Sequence, residues 1–186
     1  MPHPQQPQVC LVSPPRFDLP AFADTLAAIL DQQAIACFRL ALASQDEDEV
    51  RRVADRMRET CHARDVAIVI STHYRLVGPL GLDGCHLEDG ARHVRDVRKA
   101  LGGDAIVGAC CANSRHTGMS AGEAGADYVA FGPITASGLG DGETAPFELF
   151  EWWSEMIEVP VIAEGGLTPD LVTRLAPVVD FLAFGA

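Results

Sequence analysis

Eight short apolar runs, separated by amphipathic stretches, recur along this 186-residue sequence. They read VCLVS (9–13), IACFRLAL (35–42), VAIVI (66–70), DGCHL (83–87), AIVGACC (105–111), DYVAFG (127–132), PVIAEG (160–165) and DFLAFG (180–185). Each is near-continuous rather than alternating, as parallel strands buried on both faces require. Between them a helical period is clearest over 46–62, where Val50, Val53, Ala54, Met57 and Cys61 share one face while Arg51, Arg52, Asp55 and Arg58 take the other. The same period marks helices over 21–30 and 91–101, and Thr168-Pro169 offers an N-cap followed by proline at the first helical position. No GxGxxG turn follows the first run, so the pattern predicts an α/β fold of the (β/α)8 barrel kind over 9–186 rather than an open dinucleotide-binding sheet. Residues 1–8, rich in Pro and Gln, read as a flexible tail, and the eighth helix of such a barrel falls outside these residues.

Charge narrows the partners. Fourteen basic against 26 acidic residues give a net charge of −12, which argues against a surface that tracks nucleic-acid phosphates or anionic membranes. Thirteen of the basic residues are arginine, and Lys99 is the single lysine. No apolar run reaches the length of a membrane span, the first residues lack a signal-peptide pattern, and the six cysteines never fall at CxxC spacing. The expectation is a cytoplasmic chain with reduced thiols whose partner is a small molecule. A second subunit covering the flank left by the missing helix is also expected.

In a barrel of this kind the loops after the strands build the active site. The sequence AEGGLTPD (163–170) there joins Gly165 and Gly166 to a helix start, a combination suited to a phosphate, and Gly185 at the end of the eighth run supplies the other side of the cup. Glu164 is an acidic neighbour of that cup, read either as pointing outward to a partner or as a general base. His73, just past the third run, is a candidate acid or base, histidine being the side chain suited to that work near neutral pH. His86, inside the fourth run, reads as a buried hydrogen-bonded residue. Cys110 is a candidate nucleophile at the end of the fifth run, and Glu88 with Asp89 forms a candidate metal pair.

Four segments carry a resemblance: DGCHLEDG (83–90), IVGACCANS (106–114), GADYVAFGPITAS (125–137) and VPVIAEGG (159–166). In order and spacing they resemble the thiamine phosphate synthase/TenI superfamily, whose corresponding segments read like DGVHLGQ, IIGVSTHS, GADYVGVGPIFPT and IPVVAIGG. The resemblance implies a barrel that binds a phosphorylated thiazole or pyrimidine. In the synthases a pyrimidine diphosphate and a thiazole phosphate are joined with Mg²⁺ and cations holding the departing pyrophosphate.

Carried over position by position, the family's Gln-Leu-Arg-x-Lys strand end keeps Arg39 alone, as a phosphate contact, within Cys37-Phe38-Arg39-Leu40-Ala41. The Asn-Asp after strand three, whose Asp ligates Mg²⁺, is Ser71-Thr72, and the second metal-binding Asp is Ala91. The serine ending strand five is Cys110. The TxTK lid is Ser137-Gly138-Leu139-Gly140, which leaves Ser137 as its phosphate contact and puts Asp141 and Glu143 where a diphosphate wants cations. TenI-type tautomerases need no pyrophosphate grip, but Pro133 stands where their histidine would follow Gly132. Three functions are therefore consistent with the residues: a thiamine phosphate synthase-like protein, a thiazole phosphate tautomerase, and a non-catalytic phosphate-ligand barrel.

Overall fold

The computed structural model describes residues 6–135 and 143–185. Eight strands close into a fully parallel barrel in sequence order: β1 (Gln8–Val12), β2 (Cys37–Leu40), β3 (Ala67–Ser71), β4 (Gly84–Leu87), β5 (Ile106–Cys110), β6 (Tyr128–Phe131), β7 (Val161–Glu164) and β8 (Phe181–Gly185). The crossovers carry α1 (Leu19–Gln32), α2 (Glu47–His62), α3 (Val77–Leu80), α4 (Val94–Leu101), α5 (Arg115–Ala124), α6 (Phe147–Met156) and α7 (Pro169–Leu175). Closure comes from β8 lying along β1, with Phe181 opposite Gln8 and Gly185 opposite Val12. Gln8, assigned to the tail by its composition, is already a barrel residue.

The helices form where the period predicts, with boundaries set by side-chain caps. Asp46 accepts from the backbone N–H groups of Asp48 and Glu49 at 3.0 and 3.2 Å, and Thr168 caps α7 through the Leu171 N–H. One start moves: α4 begins at Val94 and not at Ala91, because Gly90 turns the chain into the left-handed region at φ +68° and residues 91–93 complete a turn. A second capping device works on the strands. Asp83, Asp127 and Asp180 each stand just before an even-numbered strand and accept from a backbone N–H of the strand before it: Ile68 at 2.8 Å, Val107 at 2.8 Å and Val161 at 2.9 Å. Three carboxylates thus tie adjacent strands at the N-terminal rim.

Two apolar layers result. The larger lies between strands and helices, around Phe38, Met57, Phe131, Phe150 and Trp153. The smaller fills the barrel axis with Cys10, Ala130, Ile162 and Ala183. These inner side chains are short, so the N-terminal half of the axis keeps a cavity of about 300 Å³ lined by Cys10, Cys37, Ala67, Val69 and Phe181 among others.

Across the axis Tyr128 needs room that one glycine provides. Gly108 is the strand partner of both His86 and Tyr128, and a Cβ at Gly108 would sit 1.9 Å from the Tyr128 ring. Gly108→Ala should lower stability by roughly 1–3 kcal/mol through overpacking. Gly103→Ala, with nothing within 4 Å of the added carbon, should change it by less than about 0.5 kcal/mol. Urea midpoints at unchanged m-value measure both.

Candidate active site at the barrel mouth

The C-terminal ends of β1, β2, β5, β6, β7 and β8 surround a cavity of about 690 Å³. Arg39, Cys110, Thr135, Glu164, Gly165, Gly166 and Gly185 line it, so six of the residues singled out from the sequence share one cavity. Ser137, together with the glycine-rich lid segment around it, lies outside the described residues.

The floor is a charged network. Arg39 reaches inward from β2, places Nη2 on the Glu164 carboxylate and donates from Nη1 to His86 Nε2 at 2.9 Å. Both ion-pair partners are largely withdrawn from solvent, with side-chain exposures of 12% for Arg39 and 17% for Glu164. Glu164 therefore points into the barrel and is neither an outward handle nor an unengaged base. A guanidinium can only donate, so His86 presents a lone pair at Nε2 and carries its proton on Nδ1, which donates to the Tyr128 hydroxyl at 2.8 Å. Burial, reinforced by the Arg39 charge, holds the His86 pKa well below its ordinary value, so the ring is neutral. Burial pulls the Arg39 pKa down, but the field of Glu164 and the other anionic neighbours outweighs it and keeps the guanidinium charged. Two buried polar atoms beside this network, Arg39 Nε and Ser71 Oγ, have no hydrogen-bond partner among the described residues.

The glycine turn above the floor has two roles. Gly165 and Gly166 adopt φ +88° and +75°, and a Cβ would meet Pro133 at 2.7 Å from Gly165 and Thr135 Oγ1 at 1.8 Å from Gly166. The loop after β6 docks here. Ile134 N–H and Thr135 N–H donate to the Gly165 carbonyl at 2.7 and 3.3 Å, and the Thr135 hydroxyl donates to the Gly166 carbonyl at 3.2 Å. In trans peptides the N–H points opposite the C=O, so the Gly166 and Leu167 N–H groups face away from that loop. Two other mouth-side residues take left-handed backbone without being glycine, Thr72 at φ 64° and Ala112 at φ 51°, and such strain concentrates where the surroundings fix a loop.

The remaining candidates separate. His73 lines a different recess of about 510 Å³ with Gln45, Arg51, Thr72 and Arg75. Its Nε2 is buried there without a hydrogen-bond partner among the described residues. Cys110 faces the mouth, but burial and then the nearby Glu164 push its thiol pKa up, which opposes a thiolate nucleophile at neutral pH. Glu88 and Asp89 are both exposed, and Asp89 pairs with His93 on the following turn.

The resemblance implies Mg²⁺ ligands at the positions of Thr72 and Ala91, neither of which carries a carboxylate. Among the described residues the one group of three metal-type donors is His86, Cys110 and Glu164, with ligand atoms within 4.8 Å of one another. That nitrogen, sulfur and oxygen set does not suit Mg²⁺, which takes oxygen ligands, and Arg39 already supplies a cation to two of its members. The described residues do not fit Mg²⁺.

Unfolded His86 would take up a proton near pH 6.5, whereas the folded ring does so only at much lower pH. Below about pH 6.5, and down to the folded value, the unfolded state binds more protons, so stability falls as pH drops, by up to about 1.4 kcal/mol per pH unit. The urea midpoint of the wild type should fall between pH 7 and 5 more steeply than that of His86→Gln. Parallel pH profiles would contradict this assignment.

The family model described as thiamine monophosphate synthase matches residues 9–184. A thiamine-phosphate synthase of Rhodospirillum centenum is 42% identical over 175 residues, covering 93% of this chain and 84% of that protein. One from Erythrobacter litoralis is 40% identical over 153 residues, covering 80% and 72%. Among solved structures, a thiamine phosphate pyrophosphorylase from Pyrococcus furiosus superposes with a TM-score of 0.80 at 18% identity, covering 95% of this chain and 84% of that one, which speaks to the fold.

Proposed function

The chain belongs to the thiamine monophosphate synthase family, and on that premise we propose that it serves thiamine biosynthesis by holding a phosphorylated thiazole or pyrimidine at the barrel mouth. The reaction its relatives are named for, formation of thiamine phosphate, is the activity this reading assigns. The observation that carries it is the Gly165–Gly166 turn. Its carbonyls are taken up by the loop after β6, which leaves the Gly166 and Leu167 amides to meet an anion in the cavity. Gly185 lines the far side of the same cavity. The chain's own contribution on this reading is to seat a phosphoryl group at the glycine turn.

Incubation with Mg²⁺, hydroxymethylpyrimidine diphosphate and thiazole phosphate should yield thiamine phosphate, and no product above background would defeat the assignment. Gly166→Val, forced against Thr135 at φ +75°, should abolish thiazole phosphate binding in calorimetry. A second reading, a thiazole phosphate tautomerase, draws on one observation: Cys110 and Glu164 bring a thiol and a carboxylate within 4.8 Å at the mouth, two groups able to relay a proton. It expects isomerisation of thiazole phosphate with neither Mg²⁺ nor the diphosphate present. Binding with neither reaction is the mark of a non-catalytic barrel.

A further inference from the structure

We infer that Cys10 and Cys37 form a redox pair inside the barrel, which hydrogen peroxide converts into a disulfide between β1 and β2 and a dithiol restores. The site lies below the mouth and stands whatever ligand the mouth binds.

Three observations bring the two sulfurs together. Cys10 lies opposite Cys37 where β1 and β2 run parallel, so their side chains leave the same face of the sheet. Adjacent strands lie about 4.8 Å apart, within the roughly 4.4–6.8 Å between α-carbons that a disulfide spans. Both side chains line the axial cavity of about 300 Å³. The Cys37 thiol hydrogen-bonds to the Cys10 sulfur, and its other contact, to the Phe38 carbonyl, is long at 3.8 Å.

The surroundings favour a thiolate at Cys10. The hydrogen bond from Cys37, aided by the Arg39 charge, holds the Cys10 thiol below its ordinary range against burial and the field of Glu164. The proton stays on Cys37, which the same hydrogen bond and its burial hold well above that range. The other four cysteines differ: burial pushes Cys61, Cys85 and Cys111 up to about 12, and burial with Glu164 raises Cys110. A thiolate with a thiol beside it is the arrangement in which oxidation ends at a disulfide.

The cavity suits a small oxidant. Gln8, Asp127 and Pro160, all exposed, line its end at the N-terminal rim, and Cys10 is 6% exposed, so the oxidant has to be of about the size of water. The Cys10 thiolate attacks one oxygen of hydrogen peroxide, the O–O bond breaks, and hydroxide leaves a sulfenic acid on Cys10. The Cys37 sulfur then attacks the sulfenic sulfur, the S–O bond breaks, and the departing hydroxide takes up the Cys37 proton. Two thiols and one peroxide thus give one disulfide and two waters.

The reduced full chain, treated with hydrogen peroxide at pH 7 until thiol loss levels off, should lose two of its six free thiols. Alkylation and peptide mapping by mass spectrometry should find the Cys10 peptide joined to the Cys37 peptide, two hydrogen atoms lighter than their sum, and dithiothreitol should restore both thiols. In Cys10→Ala the rate of thiol loss should fall by on the order of tenfold, whereas Cys110→Ala should react as the wild type does. Circular dichroism establishes that each variant is folded, and the wild-type peptide map decides the matter where Cys10→Ala is not. Six thiols surviving the treatment, a bond that joins other cysteines or two chains, or an undiminished rate in folded Cys10→Ala overturns the proposal.

Discussion

The contact between Arg39 and Glu164 governs how the interior of this barrel is organised. A guanidinium near the axis, with only 12% of its side chain exposed, demands a partner because an unpaired buried charge is costly. Glu164 satisfies one end of it and a neutral His86 the other. From His86 the chain of hydrogen bonds passes to Tyr128, whose ring has space only because Gly108 lacks a side chain. Four strands are thereby pinned by one polar network that separates an apolar cavity below from the open mouth above.

Among the described residues, the charged side chains that line the mouth are one arginine and one glutamate, and they answer each other. With the Arg39 charge answered from inside, the proposed phosphate contact rests on backbone amides at the glycine turn. The same glycines accept the loop after β6, so the turn and the loop geometry are two consequences of one backbone conformation.

The eight strands were legible because buried parallel strands leave continuous apolar runs, and the helices because Val50, Val53, Ala54 and Met57 repeat at helical spacing. Asp83, Asp127 and Asp180 were visible as the first letters of three runs, yet their role of holding the neighbouring strand could not be read, since it depends on pairing between strands. The start of α4 was misjudged because a left-handed glycine at 90 interrupts an otherwise helical pattern. Glu164 shows the limit most clearly. Whether the last residue of a strand faces inward depends on barrel closure, and its partner is 125 residues away in sequence, so no local pattern could pair it with Arg39. His73, after β3, lines a recess separate from the mouth, a placement set by the loop and not readable from its position in the sequence.

The central claim is that Arg39 and Glu164 neutralise each other as one unit, and a double-mutant cycle on folding stability tests it directly. Arg39→Met, Glu164→Gln and the double variant would be compared by urea denaturation at pH 7. If the pair is a unit, each single change strands a charge, and the double variant should be more stable than the sum of the two losses predicts by at least about 1 kcal/mol. Losses that add to within about 0.5 kcal/mol would mean that the two side chains act independently, and the account of the mouth built on their pairing would be wrong.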